Sequence, residues 1–412
     1  MKALYDIYAK LPEDTKDMLE RLFSRIHFTE SQKLEIVKEE ADLRQWKEKS
    51  FVSIYDYEPL LEKKNGRQGE EYVKNLRARM IKLRQAETDY SDFFPKKKPN
   101  AKAKAVVEDS AILLGKCPCP VDGEKTRCCK LRTLDAVQQC SFGCSYCSVQ
   151  AFYNENQIRV VDNLSERLRA MDIDKDVWHI GTGQASDSLL WGDDFGTLTA
   201  LSEFAENHSD IIIELKSKAS RDVFDRKYPR NMIFTWSLNA PTIIEKEEHF
   251  TARLEERLKA AEKARDMGSL VGFHIHPMVL FKGWREEYSY IASEIERRFK
   301  PEEICMISIG TLTFTKAVLK RLRELGEESR VLEMELSPAA GKFSYPLETK
   351  KMMFSHVFKS FSKKFRDQIF FYLCMEDPSL WMPVLEREYA CDKDFESDMR
   401  KSYFKKLVSN CI

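Results

Sequence analysis

Cys-Ser-Phe-Gly-Cys-Ser-Tyr-Cys, residues 140–147, sets three thiols in a C-x3-C-x2-C spacing. Iron–sulfur clusters are held by cysteine thiolates, four for a complete cubane. Three thiolates on one short loop, Cys140, Cys144 and Cys147, can hold three irons of a 4Fe-4S cluster and leave the fourth iron open. An open iron accepts the amino and carboxylate groups of S-adenosylmethionine (SAM). Zinc fits the triplet poorly, because it takes four ligands and commonly uses paired C-x2-C units. Idle reduced thiols are the remaining alternative.

Outward from this loop, short apolar runs alternate with amphipathic stretches. Leu131 to Val137 leads into the cysteines. The further runs are Val177 to Gly181, Ile211 to Leu215, Met232 to Leu238, Leu270 to Ile275 and Ile304 to Ile309. Helical periodicity fills gaps between them, as in Arg253 to Met267 and Glu286 to Phe299. Six strands each followed by a helix imply a parallel sheet with right-handed crossovers. Chemistry in such barrels collects at the carboxyl ends of the strands. The cysteine loop follows the first strand and therefore belongs at that rim. The expected fold is α/β, a partial (βα)6 barrel over residues 111–330. A helical N-terminal region with a basic linker precedes it (1–110), and a C-terminal cap follows (331–412).

In the N-terminal region Met18, Leu19, Leu22, Phe23 and Ile26 recur at helical spacing. Thr29 followed by Gln32 reads as a capping box. The segment from Pro95 to Lys104 carries five lysines and no acid, which reads as a solvated linker or a phosphate-contacting strip. Lys plus Arg (67) equals Asp plus Glu (67), so no global field draws the chain to nucleic acid or anionic lipid. Hydrophobic residues make up 43% of the 412 residues, enough for a sizeable core. Eleven cysteines in two close groups read as metal ligation in a reducing compartment. Asp6 comes too early for a signal-peptide core, and Leu270 to Phe281 is broken by His274, His276 and Pro277. The expected location is cytoplasmic, with no membrane association.

The triplet is the hallmark spacing of the radical SAM enzymes. Further motifs narrow the resemblance. Gly-Thr-Gly-Gln-Ala-Ser-Asp-Ser-Leu (181–189), Phe-Thr-Trp-Ser-Leu-Asn (234–239), Gly-Phe-His-Ile-His-Pro (272–277), Ile-Gly-Thr-Leu-Thr-Phe (309–314) and Tyr-Leu-Cys-Met-Glu (372–376) resemble the spore photoproduct lyase family. The resemblance implies a 5′-deoxyadenosyl radical that abstracts hydrogen from a thymine lesion in DNA. It also implies an electron donor such as flavodoxin or ferredoxin. Residue by residue, it places the cluster on Cys140, Cys144 and Cys147. Gly181 to Gly183 would meet the methionyl amine, and Lys218 the SAM carboxylate. Ser237 and Asn239 would meet the ribose or carboxylate, and Tyr146 is a relay. His274 and His276 alternate along the fifth strand; one is expected to face the interior, with His276 the better candidate.

The sequence also departs from that family. Gln184 stands where the family has a hydrogen-donating cysteine, and Ser148 replaces a second relay tyrosine. Thr313 replaces an arginine, and the late Lys-x-Arg-Tyr stretch reads Lys342-Phe343-Ser344-Tyr345. A second cysteine group, Cys117, Cys119, Cys128 and Cys129, is open to three readings: a second metal, a substitute hydrogen donor or plain thiols. Cys305, Cys374, Cys391 and Cys411 read as packing residues. The lost donor keeps alive a different nucleotide or peptide substrate. A non-catalytic iron–sulfur protein is a third reading, disfavoured because a sensor has no need of a SAM pocket. These motifs do not encode the oligomeric state.

Overall fold

The computed structural model describes residues 6–63, 66–97, 105–108, 113–117, 125–149 and 157–409. Cys119, Cys411 and Lys98 to Lys104 lie outside the described residues. The chain divides into two compact units. One comprises residues 1–96, 280–282 and 315–336, and the other 97–279, 283–314 and 337–412.

The first unit is helical, with long helices Glu13–Arg25, Glu30–Gln45 and Gln68–Gln85 joined by Lys316–Leu325 from later in the chain. The capping box forms as the sequence predicts. Gln32 N donates to Thr29 Oγ1 at 3.3 Å, and Thr29 N donates to Gln32 Oε1 at 2.8 Å.

The second unit is built on an eight-stranded sheet. In chain order we label β1 (Leu114–Lys116), β2 (Arg132–Leu134), β3 (Gly143–Cys144), β4 (His179–Thr182), β5 (Ile212–Ser217), β6 (Met232–Leu238), β7 (Glu248–His249), β8 (Val271–Met278), β9 (Ile304–Thr311) and β10 (Phe370–Leu373). The sheet runs β10-β9-β8-β6-β5-β4-β2-β1, and β3 pairs with β7 in a separate ribbon. Every neighbouring pair from β2 to β10 is parallel; β1 alone is antiparallel, at the edge. The sheet curls into a half-barrel. All residues of β6 and β9 are buried, which is why they read as near-continuous apolar runs. Leu254, Leu258 and Ala261 place one buried stripe of the helix Leu254–Asp266 against this sheet.

The parallel sheet has one strand more than the six read from the sequence. Phe-Phe-Tyr-Leu of β10, in the stretch read as a cap, pairs with Met306 to Ile309 of β9. Four apolar residues are too few to show a period, so only the pairing reveals the strand. No helix of the described residues is long and apolar enough to cross a membrane.

Candidate functional site

The cysteine loop leaves β2 and is held from two sides. Cys144 and Gly143 pair antiparallel with Glu248 and His249. Ser145 N donates to Glu247 O at 2.9 Å, and the Ser145 hydroxyl donates to the Glu247 carboxylate. On the other side Gln139 N donates to Ala185 O and Ser186 Oγ to Gln139 O, both at 2.8 Å. These bonds tie the loop to the segment after β4. Cys140 and Cys144 are buried and Cys147 is half-buried. Burial pushes the Cys144 thiol up to about 12, with Lys218 opposing and Glu248 adding to the rise. Such thiols ionise on meeting a cationic metal. Among the described residues no three His, Cys, Asp or Glu are placed to hold a metal ion. A cubane is less demanding, because it attaches each thiolate to a different iron. The three-thiolate donor set on one anchored loop therefore fits a 4Fe-4S cluster.

Around the loop lies a network that sequence reasoning missed. The Tyr146 hydroxyl donates to Glu248 Oε1. Arg257 Nη2 donates to Glu248 Oε2 at 2.6 Å, and both side chains are fully buried. Arg257 and then Lys218 outweigh burial and hold the Glu248 carboxyl down at about 2. Asn239 Nδ2 donates to Glu248 Oε1 at 3.1 Å and to Pro277 O at 2.9 Å. Its Oδ1 accepts from the Tyr288 hydroxyl at 2.7 Å and from Ala240 N at 2.9 Å. The Asn239 amide is thus fully engaged within the protein.

Lys218 stands at the end of β5 with its ammonium 5.4 Å from the Tyr146 ring centroid. Burial works against its charge, but Glu248 and then Cys144 outweigh that and raise its pKa. Its backbone N donates to Asp187 Oδ2 at 2.6 Å, and Ser217 Oγ donates to Asp187 Oδ1 at 2.7 Å. Asp187 therefore latches the turn after β4 onto the end of β5. Close packing explains the glycines at the end of β4 and in this turn. A Cβ at Gly181 would stand 2.7 Å from Leu131 Cδ2. Gly183 has φ +82°, and a Cβ there would stand 2.7 Å from Lys216 O.

Inside the half-barrel a cavity is lined by Gln184, Lys216, Ser237, His274 and His276. The expectation that only one histidine faces inward is corrected, since residues two apart on a strand share a face. The two histidines differ in engagement. His274 is bound through Nε2 to Glu214 Oε1 at 2.7 Å and through Nδ1 to Ser308 Oγ at 2.6 Å. Glu214 is also held by His179 Nε2 at 2.9 Å and Thr235 Oγ1 at 3.0 Å. His276 is a neutral imidazole, its pKa pushed down to about 3 by burial and then by Lys216.

The same cavity wall carries Cys117, Cys128, Cys129 and Cys374. Cys374, read as packing, joins the group because Cys374 N donates to Ile309 O at 2.9 Å and continues β10. The Cys128–Cys129 turn is pinned by Arg127, whose guanidinium donates to Tyr389 O at 3.0 Å and Ala390 O at 2.8 Å. Four thiols from three segments thus share a wall with Gln184.

A family model described as spore photoproduct lyase matches residues 133–372, more than half of the chain. The chain belongs to the spore photoproduct lyase family. Two curated spore photoproduct lyases match locally. The protein from Clostridium acetobutylicum is 29% identical over 69 residues, covering 17% of this chain and 20% of its own. That from Bacillus subtilis is 30% identical over 74 residues, covering 18% of this chain and 22% of its own. These matches span about a fifth of each relative's length. A solved spore photoproduct lyase complexed with dinucleoside spore photoproduct aligns with TM-score 0.52 and 18% identity, over 65% of this chain and 82% of that one. A mutant spore photoproduct lyase with dinucleoside spore photoproduct aligns with TM-score 0.53 and 16% identity, over 73% and 94%. A further mutant with bound AdoMet and dinucleoside spore photoproduct gives 0.50 and 18%, over 65% and 81%. At these identities the solved spore photoproduct lyases establish the fold.

Proposed function

We propose that this chain is a cytoplasmic radical SAM enzyme of the spore photoproduct lyase type, acting on a nucleic-acid base lesion in DNA repair. The observation that carries the reading is the cysteine triplet at the carboxyl rim of a family half-barrel, with the Lys218 ammonium beside it. Cys140, Cys144 and Cys147 hold the cluster in this reading. When bound, the cluster and SAM supply a 5′-deoxyadenosyl radical, the hydrogen-abstracting agent. Backbone groups of Gly181 to Gly183 meet the methionyl amine in this reading. Lys218 attracts the SAM carboxylate as a point charge, and Ser237 offers a hydroxyl. A low-potential one-electron donor of the flavodoxin or ferredoxin kind serves the cluster. The test is conversion of dinucleotide spore photoproduct by the reconstituted protein.

A charge-assisted contact in a partly dry pocket contributes about 1.5–3 kcal/mol. Lys218→Ala is therefore expected to weaken SAM binding by roughly tenfold or more at unchanged iron content, measured by equilibrium dialysis. An unchanged dissociation constant moves the carboxylate contact elsewhere, with Lys216 first in line.

Hydrogen return must differ from the family's, because the Gln184 amide cannot donate a hydrogen atom as a thiol does. Cys128, Cys129 and Cys374 share its cavity, and Tyr146 lies on the cluster loop. Cys128→Ala, Cys129→Ala or Tyr146→Phe is expected to raise the fraction of abortive products without removing the cluster. Gln184→Cys is expected to shift turnover towards clean repair. Product ratios read by mass spectrometry decide it, and ratios unmoved by all four changes refute this assignment. The second reading, a different nucleotide or peptide substrate, draws on the same lost cysteine and on Thr313 in place of the family's arginine.

A further inference from the structure

The Glu248 network is costly to bury and is placed beside the thiols. Glu248 is the register partner of Cys144 across the β3–β7 ribbon. Its carboxylate takes the Tyr146 hydroxyl, Asn239 Nδ2 at 3.1 Å and Arg257 Nη2 at 2.6 Å. Arg257 is itself fixed. Its Nε donates to Ala252 O at 2.8 Å, Nη1 to Ser237 O at 2.7 Å and Nη2 to Thr251 Oγ1 at 2.7 Å. Lys218 completes the set over the Tyr146 ring. One negative and two positive charges are thus locked around the loop, in surroundings where charges act strongly. Buried ion pairs seldom stabilise a fold more than apolar side chains of the same volume. Fold stability alone therefore gives little reason for this arrangement. Net charge and burial do set the reduction potential of an iron–sulfur cluster.

We propose that Glu248 is a positioning residue that fixes Tyr146 and the Cys144 strand and, by its negative charge, holds the cluster at a low reduction potential. The inference rests on the reading that Cys140, Cys144 and Cys147 hold a cluster. Glu248→Gln keeps the shape and an acceptor while deleting the charge. With wild-type iron content, its ratio of reduced to oxidised cluster at a fixed potential is expected to rise about tenfold, a shift of about 59 mV to more positive values. Redox titration followed by electron paramagnetic resonance reads this. Lys218→Gln, which deletes a positive charge, is expected to shift the potential the opposite way. Tyr146→Phe, which alters no charge, is expected to leave it in place. A wild type that takes up no iron refutes the underlying cluster reading. A loaded Glu248→Gln protein at wild-type potential refutes this inference alone, as does a Tyr146→Phe shift of equal size. If Glu248→Gln takes up no iron, Lys218→Gln decides: a lowered potential supports the inference, and an unmoved one overturns it.

Discussion

Replacing Cys140, Cys144 and Cys147 together by alanine is expected to abolish iron uptake, the visible absorbance of the cluster and all SAM cleavage. The fold is expected to survive. The loop is anchored through backbone and neighbouring side chains: the Cys144–Glu248 register, Ser145 on Glu247, and Gln139 on Ala185. None of these bonds uses a cysteine sulfur. The loss should therefore be specific and complete. Far-ultraviolet circular dichroism checks the fold, absorbance checks the cluster, and chromatography of 5′-deoxyadenosine checks cleavage. Alanine at Cys117, Cys128 and Cys129 should leave all three signals in place. A triple Cys140, Cys144 and Cys147 variant that keeps both absorbance and cleavage contradicts the ligand assignment.

A large stability effect is expected at Lys350. Its ammonium lies 2.7 Å from Glu376 Oε2, with side chains 3% and 1% exposed. Lys350→Ala leaves the Glu376 carboxylate buried without its cation. Breaking such a pair costs about 3–5 kcal/mol, or roughly 2.2 to 3.7 powers of ten in the folding equilibrium. The pH dependence has a definite sign. Burial raises the Glu376 pKa above its ordinary value, and Lys350 opposes the rise. A raised carboxyl disfavours the fold as pH climbs through its folded value and not below its unfolded value. Removing Lys350 lifts the folded value further. The deficit should be greatest near neutral pH and shrink in mild acid, where Glu376 takes up a proton. Urea unfolding of variant and wild type at both pH values measures it, and a deficit independent of pH contradicts the account. The effect should reach the thiol wall, because Glu376 O accepts from Arg127 N at 3.1 Å beside Cys128.

Much of the half-barrel was legible because parallel strands buried on both faces leave long apolar runs. β6 matches its predicted limits, Met232 to Leu238. β10 was not legible, since its four apolar residues acquire meaning only from pairing with β9. The cysteine triplet was legible through its spacing, a local property. Glu248 and Arg257 were not, because they lie among Glu-Lys-Glu-Glu-His and Glu-Glu-Arg, runs that read as solvated charge. Tertiary contacts bury them, Glu248 in the β3–β7 ribbon and Arg257 on the buried side of its helix. Glu214 carried a signal that could have been read. It alternates with Lys216 and Lys218 in an otherwise apolar strand, which marks one polar face towards the barrel interior. The same periodicity applied to His274 and His276 would have put both on the cavity wall.

Protein reconstituted without oxygen is incubated with dithionite, SAM and dinucleotide spore photoproduct, and products are resolved by liquid chromatography and mass spectrometry. The expected products are 5′-deoxyadenosine and photoproduct converted to thymidylyl-thymidine, accompanied by abortive products that Gln184→Cys diminishes. SAM cleaved while the photoproduct stays unchanged, in both wild type and Gln184→Cys, would contradict the lyase reading and assign the radical chemistry to another substrate.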